Sequence, residues 1–412
     1  IAGFEQLALT AHEQLMGLGT TTLVSRGALT LDTGRLTTAS GAHLAINAER
    51  ATLRATGSKT LPASDSLGGT LAINADAIDY AGRISLPAGR VELNASGAGG
   101  VRVRNGASID VAATREVFGG KTVAVPGGRI ALRATQGDIA IDRGASLDVS
   151  ASGGGLAGVI STQAAAGTIS VDPRAQLQAR GAQGSGAWLF DAEAFAADTS
   201  LSVLNTQLNG NGFGDTRVFR VRHGDLSLAP GAAIEAHAVT LSADQGAITI
   251  AGRIDASGRR AGRIALNADG DVTLTGSARL DASAAGADAN EAGGVVSIAT
   301  RAGALQLAAT DNSNDAGIDV AGAGDGGSVV LRAPRIGASE VAVTDASVRI
   351  AGASRITLEA FKNYSGSNVG TVFNSARGEA ATFMANAATI ESRLGRDSDA
   401  RFHVVPGIDI TS

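Results

Sequence analysis

The chain has 412 residues, a formal net charge of −5 from 34 basic and 39 acidic residues, and no cysteine. This excludes disulfides, thiolate metal sites and cysteine nucleophiles, and the near-balance of charge leaves no basic field for nucleic acid and no polybasic membrane patch. Glycine is 56 of the 412 residues without a collagen period, and aromatics are only 3%, too few for an ordinary globular core of this length but enough for a thin core of stacked aliphatic side chains.

Lysine occurs only at Lys59, Lys121 and Lys362, so arginine supplies most cations. No apolar run approaches the ~18 residues of a membrane helix, so no transmembrane segment is expected. The chain opens on Ile1, and Phe4, Leu7 and Leu9 already fall in a repeat-like pattern. The segment is therefore expected to come from within a longer protein.

Residues 1–181 read as repeated short strands. LALTA near Leu7, the run from Thr22 and the run from His43 each alternate apolar and polar residues. Residues 61–70 form a turn or outward loop. From Gly69 to Thr114 the alternation becomes clean, 115–127 read as a loop, and GRIALRATQGDIAIDRGASLDVSAS runs from Gly128 to Ser152. Residues 182–225 break the pattern. There DAEAFAAD, Asp191–Asp198, is expected to form a short helix with Asp191 as its N-cap.

Repeats resume at 226 and run to 360. The clearest is Gly262–Ser283, with three alternating runs: Ile264/Leu266, Val272/Leu274 and Leu280/Ala282. Each is closed by Gly, Asp, Asn or Ser, so each reads as a strand with one buried face followed by a turn. Similar stretches begin at Gly293 and Gly326. Recurrence at this period marks a stacked repeat protein, and three strands with three turns make one coil of a β-solenoid. Residues 361–412 break pattern again. Ala380, Phe383, Met384, Ala387, Ile390 and Leu394 recur at helical spacing and Gly395 closes the run, which predicts one amphipathic helix on the flank before terminal strands.

The phrases from Gly128 and from Gly246 to Gly294 resemble the filamentous haemagglutinin family, very large exoproteins of Gram-negative bacteria exported by two-partner secretion. AFKNYSG at Ala360 and VVPGIDI at Val404 resemble an uncharacterised domain found within such proteins. The resemblance implies an all-β, right-handed parallel β-helix at the bacterial cell surface or secreted, export of the full-length chain through an outer-membrane transporter, and roles in adhesion, biofilm or toxin presentation. A host-cell or glycan receptor is the partner it suggests. The family's secretion domain with its Asn-Pro-Asn motifs is absent from this segment, which is expected to act as a shaft rather than carry the export signal.

Four sets of residues are candidates for chemistry. The first is an outward Asp in the frame x-Asp-x-Ser/Ala: Asp110, Asp148, Asp255, Asp281 and Asp319. Stacked carboxylates could share Ca²⁺, but an Asp at a strand end more often accepts from a nearby turn amide or pairs with Arg. The tandem glycine–aspartate calcium repeat is absent, and no cofactor or metal site is expected. The second is a recurrent Asn at 47, 74, 94 and 267, read as turn or ladder chemistry, with Arg133 and Arg332 in the same frame. The third is catalysis. Asp269/Asp271 and Asp76/Asp79 have no His or Lys beside them and the five His are scattered, so no catalytic residue is expected. A polysaccharide-cleaving enzyme remains the rival of that class. The fourth is aromatic placement. Ten of the aromatics lie in the two pattern-breaking windows, with Trp188, Phe190 and Phe213 in the first and Tyr364 in the second. Their bland role is a satellite core pinning each excursion. Their functional role would be a surface for a glycan or receptor.

Overall fold

The computed structural model describes residues 5–57, 66–113, 115–118, 121–285, 292–312, 315, 317–366 and 369–411. The chain is mostly β, 54% strand and 8% helical, as the alternation predicts. It divides into two compact units, residues 1–219 and 220–412.

The second unit shows the principle most plainly. In Arg263–Ala268, Ile264, Leu266 and Ala268 are buried while Arg263 and Asn267 are exposed. A period of two puts alternate side chains on opposite faces. Each repeat adds one strand to each of three parallel sheets. The first sheet stacks Ala238–Ala243, Arg263–Ala268, Val295–Thr300, Gly327–Ile336, Ala353–Ser365 and Phe402–Thr411. The second stacks Leu226–Leu228, Ile248–Ile250, Val272–Leu274, Leu305–Leu307 and Val343–Asp345. The third stacks Ala233–Glu235, Arg253–Asp255, Arg279–Asp281, Ile318–Asp319 and Ile350–Ala351. Register aligns like with like. Val239, Ile264, Val296, Val329 and Ile356 form one inward column, and each is fully buried. Burying such side chains contributes about 0.8 kcal/mol per methylene.

The first unit repeats this with longer strands. Leu44, Leu71, Val91, Ile130 and Ile160 stack in register, as do Ile84, Ile109, Leu147 and Leu177. Within the expected 115–127 loop, Arg115–Phe118 and Lys121–Ala124 pair antiparallel as a hairpin. Phe4 and residues 61–65 of the expected 61–70 loop lie outside the described residues.

Helices differ from expectation in two places. Asp191–Asp198 is not helical. Ala187–Phe195 is a strand, parallel to Val159–Val171, and the helix follows as α1, Leu201–Gly210. Trp188, Phe190 and Ala192 alternate inward against Ile160, Thr162 and Ala164, and this pairing overrides the weak local helix propensity. The cap is Ser200, whose side chain accepts from the Val203 amide, and Leu201, Leu204 and Leu208 turn inward. The single long helix is two, α2, Val369–Met384, and α3, Ala387–Arg393. The break at Ala385–Asn386 leaves Met384 exposed rather than packed, while Phe383 and Ile390 stay buried. Gly395 does close the segment. It adopts φ +66°, its amide bonds Ser392 O, and the Arg396 amide bonds Glu391 O, a Schellman motif.

The two helices stand where strands would otherwise lie. After Ala353–Ser365 the described residues add nothing further to the second and third sheets. α2 and α3 intervene, and the chain returns to the first sheet as Phe402–Thr411. Arg393 Nη1 donates to Val343 O at 2.9 Å. Arg396 Nε donates to Ala346 O at 3.0 Å and its Nη2 to Val348 O at 2.5 Å. One carbonyl of the second sheet's last strand, Val343, and two in the connection to the third sheet, Ala346 and Val348, thus find guanidinium donors. No helix among the described residues is long and apolar enough to cross a membrane.

Candidate functional site

The aromatic candidates separate into core and surface. Trp188, Phe190 and Phe213 are fully buried, so they offer no platform to a ligand. Trp188 extends the Leu44–Ile160 column by pairing with Ile160, and its ring meets Phe213 edge-on at 5.7 Å. Phe190 stacks on Phe195 at 4.4 Å and tilts against Phe219 at 5.8 Å. Arg217 is buried beside them. Its Nε donates to Phe213 O, and its Nη1 to the side-chain oxygens of Asn205 and Asn209. Burial matches the satellite-core role of these residues.

Tyr364 differs, being half-buried on the strand that faces α2. Its hydroxyl donates to Glu379 Oε2 at 3.0 Å, and Lys362 Nζ donates to the same oxygen at 2.6 Å. Lys362 lies 5.3 Å from the Tyr364 ring. Hydrogen bonds from Lys362 and then Tyr364 hold the Glu379 carboxyl below its ordinary range. Burial, then the bond to Glu379, pushes the Tyr364 phenol up. A cavity of about 320 Å³ beside them is lined by Arg335, Gly337, Ala338, Lys362, Glu379 and Thr382. The trio fastens α2 to the strand Ala353–Ser365.

The outward Asp residues accept from turn amides. Asp110 takes the Ala112 amide at 2.9 Å, Asp148 that of Ser150 at 2.8 Å, and Asp319 that of Ala321 at 2.9 Å. Asp255 and Asp281 each accept both the amide and the hydroxyl of the serine two residues on. Asp345, missed in the sequence because its strand lacks the preceding aliphatic residue, does the same with Ser347. Arg253 also bridges Asp255 and Asp281. No group of three or more potential metal-ligating side chains occurs among the described residues.

No family model, curated protein or solved structure matches this chain.

The paired carboxylates also have structural partners. Asp79 holds Arg104 through both oxygens, at 2.6 and 3.0 Å, and Asp76 accepts from Ser96 at 2.6 Å. Asp269 pairs with Arg301 at 2.6 Å, and Asp271 accepts the Ala304 amide at 2.7 Å. The Asn frame resolves into a ladder in the first unit. Asn74 donates to Asn47 at 2.8 Å, Asn94 to Asn74 at 2.9 Å, and Arg133 to Asn94 at 3.2 Å. Gln163 and Asp191 extend the column in register. Asn267, in the second unit, joins no such ladder. The sequence signal for that difference is the residue aligned with it in the next copy, Ala299.

Proposed function

We propose that the chain is a structural shaft segment of a large secreted or cell-surface exoprotein like the filamentous haemagglutinins, folded as a right-handed parallel β-helix. Its work is mechanical. Inward Val, Ile, Leu and Ala columns hold successive coils together, and backbone hydrogen bonds between coils run along the stack. The observation that carries this reading is the parallel pairing of successive repeats among the described residues, with apolar residue against apolar residue across most of the paired strands. Supporting it, the candidate Asp residues have partners within the scaffold and the aromatic candidates of the first window are core. Export of the full-length chain through an outer-membrane partner belongs to the same proposal.

The test is removal of whole repeats from the full-length exoprotein. The distance at which it presents its distal end should shorten with each repeat removed, while binding by that end persists. Release of unsaturated product from a uronic-acid polymer by the purified chain would reject the reading in favour of a polysaccharide-cleaving enzyme. A left-handed coil in a crystal structure would reject the fold.

A further inference from the structure

The two units treat one outward position differently. In the first, Asn47, Asn74, Asn94 and Arg133 bond to one another along the stack. In the second, the same position runs Ser242, Asn267, Ala299, Arg332 and Glu359. Ala299 supplies only a methyl group between Asn267 and Arg332, so the ladder is interrupted. A groove of about 470 Å³ opens at the interruption, with Gln245, Asn267, Asp269, Arg301 and Arg332 among its walls.

Hydrogen-bonding capacity is left over there. The side-chain amides of Gln245 and Asn267, both exposed, make no hydrogen bond among the described residues. Arg301 spends Nε on Asp269, and 68% of its side chain is exposed. Arg332 uses Nε on Glu359 and Nη2 on Asp409. Charge is locally matched: Arg220 faces Asp244 at 2.7 Å, Arg301 faces Asp269, and Arg332 faces Glu359 and Asp409. A groove with its charges already paired gives no strong attraction to an anion or a cation. Amides and guanidinium edges set donors and acceptors side by side, which suits the adjacent hydroxyls of a sugar.

We infer that this notch is a binding site for a neutral oligosaccharide, held by Gln245, Asn267 and Arg301. No aromatic ring lines it, so stacking does not contribute and affinity per site is weak, in the millimolar range. The site goes beyond the shaft reading, which stands whether or not a sugar binds here.

Saturation-transfer NMR on the full chain tests it, with malto-, cello- and chito-hexaose as neutral probes and a uronic-acid oligomer as the charged one. At least one neutral probe should bind, with little change between low and high salt. Asn267→Ala should weaken that binding about tenfold. Ala299→Gln, which fills the notch and offers Asn267 a ladder partner, should abolish it. Circular dichroism should show both variants folded. Absence of binding by every neutral probe, binding indifferent to both substitutions, or salt-sensitive binding of the charged oligomer alone would each overturn the site. None of these outcomes bears on the order of the repeats.

Discussion

At the scale of single residues, the stack is unforgiving inside and permissive outside. Leu266 is fully buried in its column, and Leu266→Ala should cost about 2–5 kcal/mol in urea denaturation. Asn74 both donates to Asn47 and accepts from Asn94. Asn74→Ala breaks both bonds and should cost about 1–2 kcal/mol by the same measurement. Two glycines give opposite signs. A Cβ at Gly158 would collide with the Gly128 carbonyl oxygen, so Gly158→Ala should strongly destabilise the first unit. A Cβ at Gly378 would meet nothing within 4 Å, and its residue sits inside α2. Gly378→Ala should therefore stabilise by about 1 kcal/mol and raise the melting temperature. This is also the scale at which the sequence was most legible. Alternation placed Ile264, Leu266, Val272, Leu274, Leu280 and Ala282 inward, and all six are buried. The same alternation concealed Trp188 and Phe190. The weak period-two order of residues 182–225 assigns them to an excursion, yet they occupy ordinary inward positions.

At the scale of elements, α2 and α3 follow the last described strands of the second and third sheets, while the first sheet gains one more strand after them. The sequence signals that end the last helical segment, Gly395 and the apolar spacing before it, were readable. What Arg393 and Arg396 bond to was not, since their acceptors are carbonyls about fifty residues away in the chain. Exposed strand edges invite pairing with another chain. Substituting both arginines with alanine should loosen α3, lower the melting temperature and produce concentration-dependent association in analytical ultracentrifugation. Attachment of α2 adds a pH dependence. Glu379 is held below its ordinary range by Lys362 and Tyr364. A carboxyl depressed in the folded state adds stability above its unfolded value, near pH 4.3, and loses it as pH falls through the folded value. Asp399, depressed mainly by its hydrogen bond from Arg401, has the same sign. Acidification should speed hydrogen exchange in α2, and Glu379→Gln should flatten the part due to this contact. Because the trio is largely exposed, that part is small.

At the scale of the molecule, two compact units share one construction, and the sequence contains one tryptophan, Trp188, in the core of the first. Tryptophan fluorescence therefore reports the first unit alone, whereas far-ultraviolet dichroism reports both. Stability in repeat arrays is a sum of local terms, so the two transitions in urea should not coincide. The mostly β class followed from the alternation within each repeat, and the stacked order from the recurrence of the repeats along the chain. The division near residue 219 falls inside the aromatic-rich, pattern-breaking window 182–225.

The members of the ladder Asn47–Asn74–Asn94–Arg133 are separated along the chain by 27, 20 and 39 residues, yet they lie in register. Length differences are absorbed between the paired segments, as in the hairpin formed by Arg115–Phe118 and Lys121–Ala124 and in the register shift after Ala75 and Ala95. A connection can therefore lengthen without disturbing the paired strands on either side, and such connections are where a foreign peptide could be grafted with the least disturbance.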